Sequence, residues 1–247
     1  MDLTPLLFAS GAAAGNVLGA AAVVRADRRG LAAIDLFLGF GAGFMLALVL
    51  VGLLPELFRS GGAAPAVGLL VLAGYLLVHV TQHVLTPHFH FGEEHHEVPP
   101  SAGYSALIGL TLHAFFDGVA VASGFLVSWS LGSLFFVAIL LHKLPEGVSV
   151  ASVMLASGLG RTRAMQAGLA LAVATVAGSL LTGAISSLAR YGLALAAGVT
   201  LYVAASNLVP ELQARRGGGG VRITVAFLGG VLALLLLRGL GSPTGPG

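Results

Sequence analysis

Apolar residues run through this chain in long unbroken stretches, interrupted by short clusters of Arg, Gly and Pro. A helix needs about 20 such residues to cross a hydrocarbon core of roughly 30 Å. Eight stretches reach that length, approximately 3–24, 33–57, 66–86, 103–127, 131–157, 164–187, 191–213 and 221–238. Their length and continuous apolarity predict helices rather than strands. The connections between them are short, except one from Thr86 to Pro100. The opening MDLTPLLF lacks the basic cluster that begins a cleaved signal peptide, so it reads as the start of the first span. The expected organisation is one transmembrane domain, 1–247, with a His-rich loop at 86–100 between spans three and four.

Composition agrees. Hydrophobic residues make up 57% of the chain and charged residues 9%, with a mean hydropathy of +0.97. A soluble domain of this size would lack the polar surface to stay in water. The predicted fold class is therefore an all-α integral membrane protein with eight transmembrane helices. The chain has no Cys, which excludes disulfides and thiolate metal sites. A net charge of +2 says little about partners. The expected ones are the lipid bilayer and small ions, with a homodimer left open and no nucleic acid. Spans filled with Ala, Leu, Gly and Val, and a basic set that is Arg apart from Lys143, suggest a GC-rich bacterial genome and hence an inner cell membrane.

Arg placement predicts the orientation. With the N-terminus outside, cytoplasmic connections hold Arg25, Arg28, Arg29, Arg161, Arg163, Arg215, Arg216 and Arg222, and the outer side holds only Arg59, Arg190 and Arg238. That imbalance favours both termini outside and the 86–100 loop inside. The 36 glycines read first as surfaces where helices pack closely.

Two stretches carry the chemistry. HAFFDGVAVAS occupies 113–123 and HKLPEGVSVAS occupies 142–152. Each has a His followed four residues later by an acid, so His113 shares a helix face with Asp117, and His142 with Glu146. Both pairs lie about 15 Å into their spans, near the bilayer midplane. Ionisable residues there are costly and mark a functional pathway. One pair alone would be explained equally well by a structural hydrogen bond. Two matching pairs favour a divalent metal site, for which two imidazoles and two carboxylates suit Zn²⁺, and also Fe²⁺, Mn²⁺, Co²⁺ or Cd²⁺. The spans carrying them are consecutive and cross in opposite directions, so the repeat is inverted, as in many transporters. A second inverted echo pairs LLPEL at 53–57 with LVPEL at 208–212. It places Glu56 near the outer mouth of a pathway and Glu211 near the inner one.

On these motifs the chain resembles the ZIP family of divalent-metal (zinc/iron-regulated) transporters, along its whole length. The family's span-four motif is His-Asn-x-Pro-Glu-Gly, where this chain has His113-Ala114-Phe115-Phe116-Asp117-Gly118. The span-five motif ends in Pro-Glu-Gly, as in His142-Lys143-Leu144-Pro145-Glu146-Gly147. The resemblance implies zinc uptake into the cytoplasm by an elevator-like or rocking mechanism, with spans one to three and six to eight related by inverted symmetry. Zinc would be the transported substrate, with no organic cofactor. Some family members hold a second metal through the residues after each His. Here those are Ala114, which offers no ligand, and Lys143, whose ammonium would repel a cation. One transport-site metal is therefore expected, with Lys143 standing in for the second charge.

The chain has no Walker motif, and a negative interior draws in a cation by roughly 2.3 kcal/mol per charge per 100 mV, so gradient-driven uptake is preferred over pumped efflux. Metal ligands must be deprotonated, so binding is expected to release protons. His79 and His83, near the inner end of span three, are candidates for the inner mouth beside Glu211. His88, His90, His95 and His96 form a candidate capture or regulatory site in the loop. Asn16, Met45 and Asn207 read as residues that pack or bond neighbouring helices. The alternative from another class is an intramembrane zinc-dependent hydrolase using the same four residues, with a water on the metal.

Overall fold

The computed structural model describes residues 3–25, 32–59, 64–84, 100–208 and 220–241. Among them there is no strand. The order is α1 (Thr4–Arg25), α2 (Ala32–Ala47), a π-helical turn π1 (Leu48–Leu53), α3 (Leu54–Arg59), α4 (Ala64–Val84), α5 (Pro100–Val127), α6 (Trp129–Ala156), α7 (Gly160–Ala184), α8 (Ser186–Tyr202), a second π-helical turn π2 (Val203–Leu208) and α9 (Gly220–Gly241). Among the described residues, seven helices are long and apolar enough to cross a membrane. The expected span at 191–213 appears as a shorter apolar helix, Tyr191–Ser206, and its last five residues lie outside the described ones.

Local chemistry sets the turns. Ser128 is extended and accepts a hydrogen bond from the Leu131 amide at 3.1 Å, which stops α5 and caps α6. Gly158 and Gly160 adopt φ of 72° and 81° between α6 and α7, a conformation that side-chain-bearing residues avoid. Pro55 has no N–H to give the Val51 carbonyl, and the Arg238 guanidinium donates to that oxygen instead. Such a gap in the hydrogen-bond ladder accompanies π1, which ends two residues before Pro55. The second π turn ends two residues before Pro210, so both Pro-Glu echoes follow the same irregularity.

The bundle centres on α5 and α6, which pack on each other. Helix α1 lies along α6 as α7 lies along α5, and α9 lies along α2 as α4 lies along α8. The close approaches repeat as well. A side chain at Gly147 would strike the Asn16 carbonyl, and one at Gly118 the Thr175 carbonyl. A side chain at Gly43 would strike the Phe227 carbonyl, and one at Gly198 the Val71 carbonyl. Gly43 and Gly198 each stand twelve residues before the proline of their echo. Exchanging spans one to three with six to eight, and four with five, therefore reproduces the packing. Each exchange reverses chain direction, so the repeat is inverted.

Candidate metal centre

Helical spacing puts His113 beside Asp117 on α5, and His142 beside Glu146 on α6, and packing of α5 on α6 brings the pairs together. One ligand atom from each of the four residues lies within 4.8 Å of the others. All four are buried, as are Ala114 and Lys143. Asp117 Oδ2 is the hub. It lies 3.3 Å from His113 Nε2, 3.1 Å from His142 Nε2 and 2.7 Å from Lys143 Nζ. Lys143 also reaches Glu146 Oε2 at 2.6 Å. The ammonium thus bridges the two carboxylates, one from each helix.

The His142 ring is oriented from behind. Its Nδ1 lies 3.0 Å from the Ala138 carbonyl, which can only accept, so Nδ1 carries a proton. In the neutral ring Nε2 then presents a lone pair toward Asp117 Oδ2. Two electron-rich atoms at 3.1 Å repel unless a cation or proton lies between them. This is the arrangement by which an imidazole is set for metal binding, with the far nitrogen hydrogen-bonded and the near one free. Both ring nitrogens of His113, together with Asp117 Oδ1 and Glu146 Oε1, are buried and make no hydrogen bond. Buried polar atoms are costly without such bonds, and these are all donors to metals. The residues present fit a divalent cation.

The remaining candidates divide. Glu56 is partly buried in α3, pairs with Arg59 at 2.7 Å, and lines a cavity of about 240 Å³ with Ser128, Ser130 and Arg238. His79 stacks on Tyr75 in α4 and meets Tyr202 of α8 edge-on, with ring centres 6.5 and 5.8 Å apart. His83 falls in α4 and its side chain is outside the described set. Glu211, His88, His90, His95 and His96 lie outside the described residues. One neighbour of the cluster was not anticipated. Asn16 of α1 is fully buried against α6 and touches Glu146. Its only sequence signal is an amide among small residues, and that reads equally well as helix packing.

Fold and site together define a multi-pass helical membrane protein with a buried cluster of two histidines and two carboxylates between two inverted halves. A family model described as the ZIP zinc transporter matches residues 99–238. The chain is 32% identical over 141 residues to "Zinc transporter ZIP4" of Homo sapiens, covering 54% of this chain and 22% of that protein. It is 30% identical over 167 residues to "Zinc transporter ZIP9" of Micropogonias undulatus, covering 62% and 53%. It is 33% identical over 146 residues to "Zinc transporter ZIP13" of Danio rerio, covering 55% and 41%. The matches span from about a fifth to about half the length of these relatives. This chain belongs to the ZIP zinc transporter family. Members of the family are transporters, not enzymes, and the hydrolase alternative falls away.

Proposed function

We propose that this protein carries divalent cations, zinc foremost, into the cytoplasm through a single site formed by His113, Asp117, His142 and Glu146. The observation that carries this reading is the buried convergence of two imidazoles and two carboxylates from antiparallel helices. The inverted packing supports alternating access, in which one half moves against the other and the site opens to each side in turn. Lys143 supplies the positive charge that a second metal would bring, so one ion binds per chain. Cation-permissive chemistry leaves Fe²⁺, Mn²⁺, Co²⁺ and Cd²⁺ as competitors for the same donors.

Both termini face outward in this reading, following the Arg imbalance, and the composition suits a bacterial inner membrane. Glu56 stands at the outer mouth in this reading, on the wall of a cavity it shares with Ser128, Ser130 and Arg238. Glu211, with His79 and His83, serves the inner mouth, and His88, His90, His95 and His96 capture or regulate the released ion. Metal-resolved uptake into proteoliposomes tests the core of this proposal. Wild-type protein is expected to accumulate zinc, and His113→Ala and Glu146→Ala to lose that flux. Uptake unchanged in both variants would sink the site, and no uptake by wild type would sink the transport reading.

A further inference from the structure

The first span supplies none of the four clustered residues, yet it reaches them. Asn16 on α1 faces α6 where Gly15, Gly19 and Gly147 let the two backbones approach closely. There its amide meets two oxygens, Glu146 Oε2 and the Lys143 carbonyl. Both can only accept, so the amide turns its nitrogen toward them, at 3.1 and 2.6 Å respectively. Lys143 Nζ donates to the same Oε2 at 2.6 Å. One Glu146 oxygen is thus held by two donors from two helices. The other, Oε1, is buried and makes no hydrogen bond.

We propose that Asn16 is a positioning residue for the cation: with Lys143 it fixes the Glu146 carboxylate, which then offers the ion one oxygen, Oε1, rather than two. This inference rests on Glu146 being a ligand, as proposed above. A carboxylate limited to one oxygen, with two imidazoles and Asp117, gives a four-membered donor set. Four-coordinate nitrogen and oxygen sites suit Zn²⁺. The larger Cd²⁺ accepts more donors and gains from a carboxylate free to swing and chelate. Asn16 therefore favours zinc over cadmium. The equivalent position in the other half shows that packing alone does not demand this contact. There Thr175, also fully buried, donates its hydroxyl to the Leu171 carbonyl of its own helix at 3.1 Å.

Equilibrium binding of Zn²⁺ and of Cd²⁺ to the purified full chain in detergent tests the proposal, using wild type, Asn16→Ala, Asn16→Thr and Glu146→Gln. Both Asn16 variants are expected to bind zinc about 10- to 100-fold more weakly, the range for removing a group that orients a ligand. Cadmium affinity is expected to fall less, so the zinc-to-cadmium ratio drops. Equal losses for the two metals would mean a merely structural role and would overturn the proposal, as would unchanged zinc affinity. Should the smaller side chains unfold the protein, Asn16→Leu roughly keeps the volume and removes the donor without adding charge, and the same ratio decides. The Glu146→Gln arm separates the two claims. If it binds zinc like wild type, the ligand assignment fails, whatever the Asn16 variants do.

Discussion

The two helices that carry the site share a scaffold and differ in what surrounds their ligands. On α5, His113 is followed by Ala114, the acid is the shorter Asp117, and Thr175 stands behind. On α6, His142 is followed by Lys143, the acid is Glu146, and Asn16 stands behind. Gly118 and Gly147 are the same residue in both because two backbones must pass too close for a side chain. The side chains are under no such constraint. An ion seated between the helices senses the total set of donors and the total charge, not how they divide. The α6 half holds the only ammonium of the cluster, and that ammonium reaches across to Asp117. The scaffold is therefore symmetric where the helices cross and asymmetric where charge is set.

Removing the hub is the severest way to break this comparison. Asp117→Ala takes away the oxygen that faces both imidazoles and the ammonium. Removing one partner from a buried ion pair costs about 3–5 kcal/mol. Glu146→Ala leaves Lys143 its contact with Asp117 at 2.7 Å, and Asp117 its two imidazoles, so it is expected to unfold less readily, although both variants lose zinc uptake. Thermal melting in detergent beside proteoliposome flux measures the two effects. A Glu146→Ala protein less stable than Asp117→Ala would show that the hub has been placed on the wrong helix.

Lys143→Ala makes the two positions after each His identical. Without metal, the two carboxylates lose the cation between them, again at about 3–5 kcal/mol. Zinc replaces that charge, and saturating ligand at 100 times its dissociation constant restores about 2.7 kcal/mol. The expected signature is a low melting temperature that zinc raises further than it raises the wild type's. Metal analysis of the purified wild type is expected to give one tightly held zinc per chain. Two would contradict the role given to Lys143.

The shared scaffold makes a sharper prediction. Gly118→Ala and Gly147→Ala each drive a methyl into a facing backbone, at the Thr175 and Asn16 carbonyls. Overpacking of this kind costs about 1–3 kcal/mol. Symmetry requires similar losses in melting temperature for both. Gly68→Ala, with nothing within 4 Å of the added carbon, is the control and is expected to be neutral or slightly stabilising. A large difference between the two central variants would mean that the halves do not share their packing.

Much of this was legible before any geometry. The His-x-x-x-acid spacing forces each pair onto one face, and equal depth in consecutive spans forces the pairs to meet. The apolar stretches located the helices to within a few residues because a membrane span leaves little freedom in length. Three things were hidden. The π turn before Pro55 depends on how the freed Val51 carbonyl finds a donor, Arg238, from a helix distant in sequence. The part played by Asn16 depends on how closely α1 approaches α6, which the abundant glycines allow but do not assign to particular pairs. The bridge from Lys143 to Asp117 depends on the facing of α5 and α6. Sequence placed Lys143 beside Glu146 on one helix and gave no reason to prefer a contact across to the other.

The mildest change tests the difference itself. Thr175 occupies in the α7 half the place Asn16 holds in α1, and its hydroxyl is spent on its own helix. Thr175→Val keeps the branched shape and deletes only that bond. The Leu171 carbonyl retains its backbone position in the helix, so the cost is expected to stay within about 0.5–1 kcal/mol. Zinc affinity and the zinc-to-cadmium ratio are expected to match wild type, because nothing behind Asp117 is held by this residue. Calorimetric titration against both metals, alongside a melting curve, measures this. If Thr175→Val weakened zinc as much as Asn16→Thr, the α7 half would also brace its ligand, and the asymmetry would reduce to Lys143 and the longer acid at Glu146.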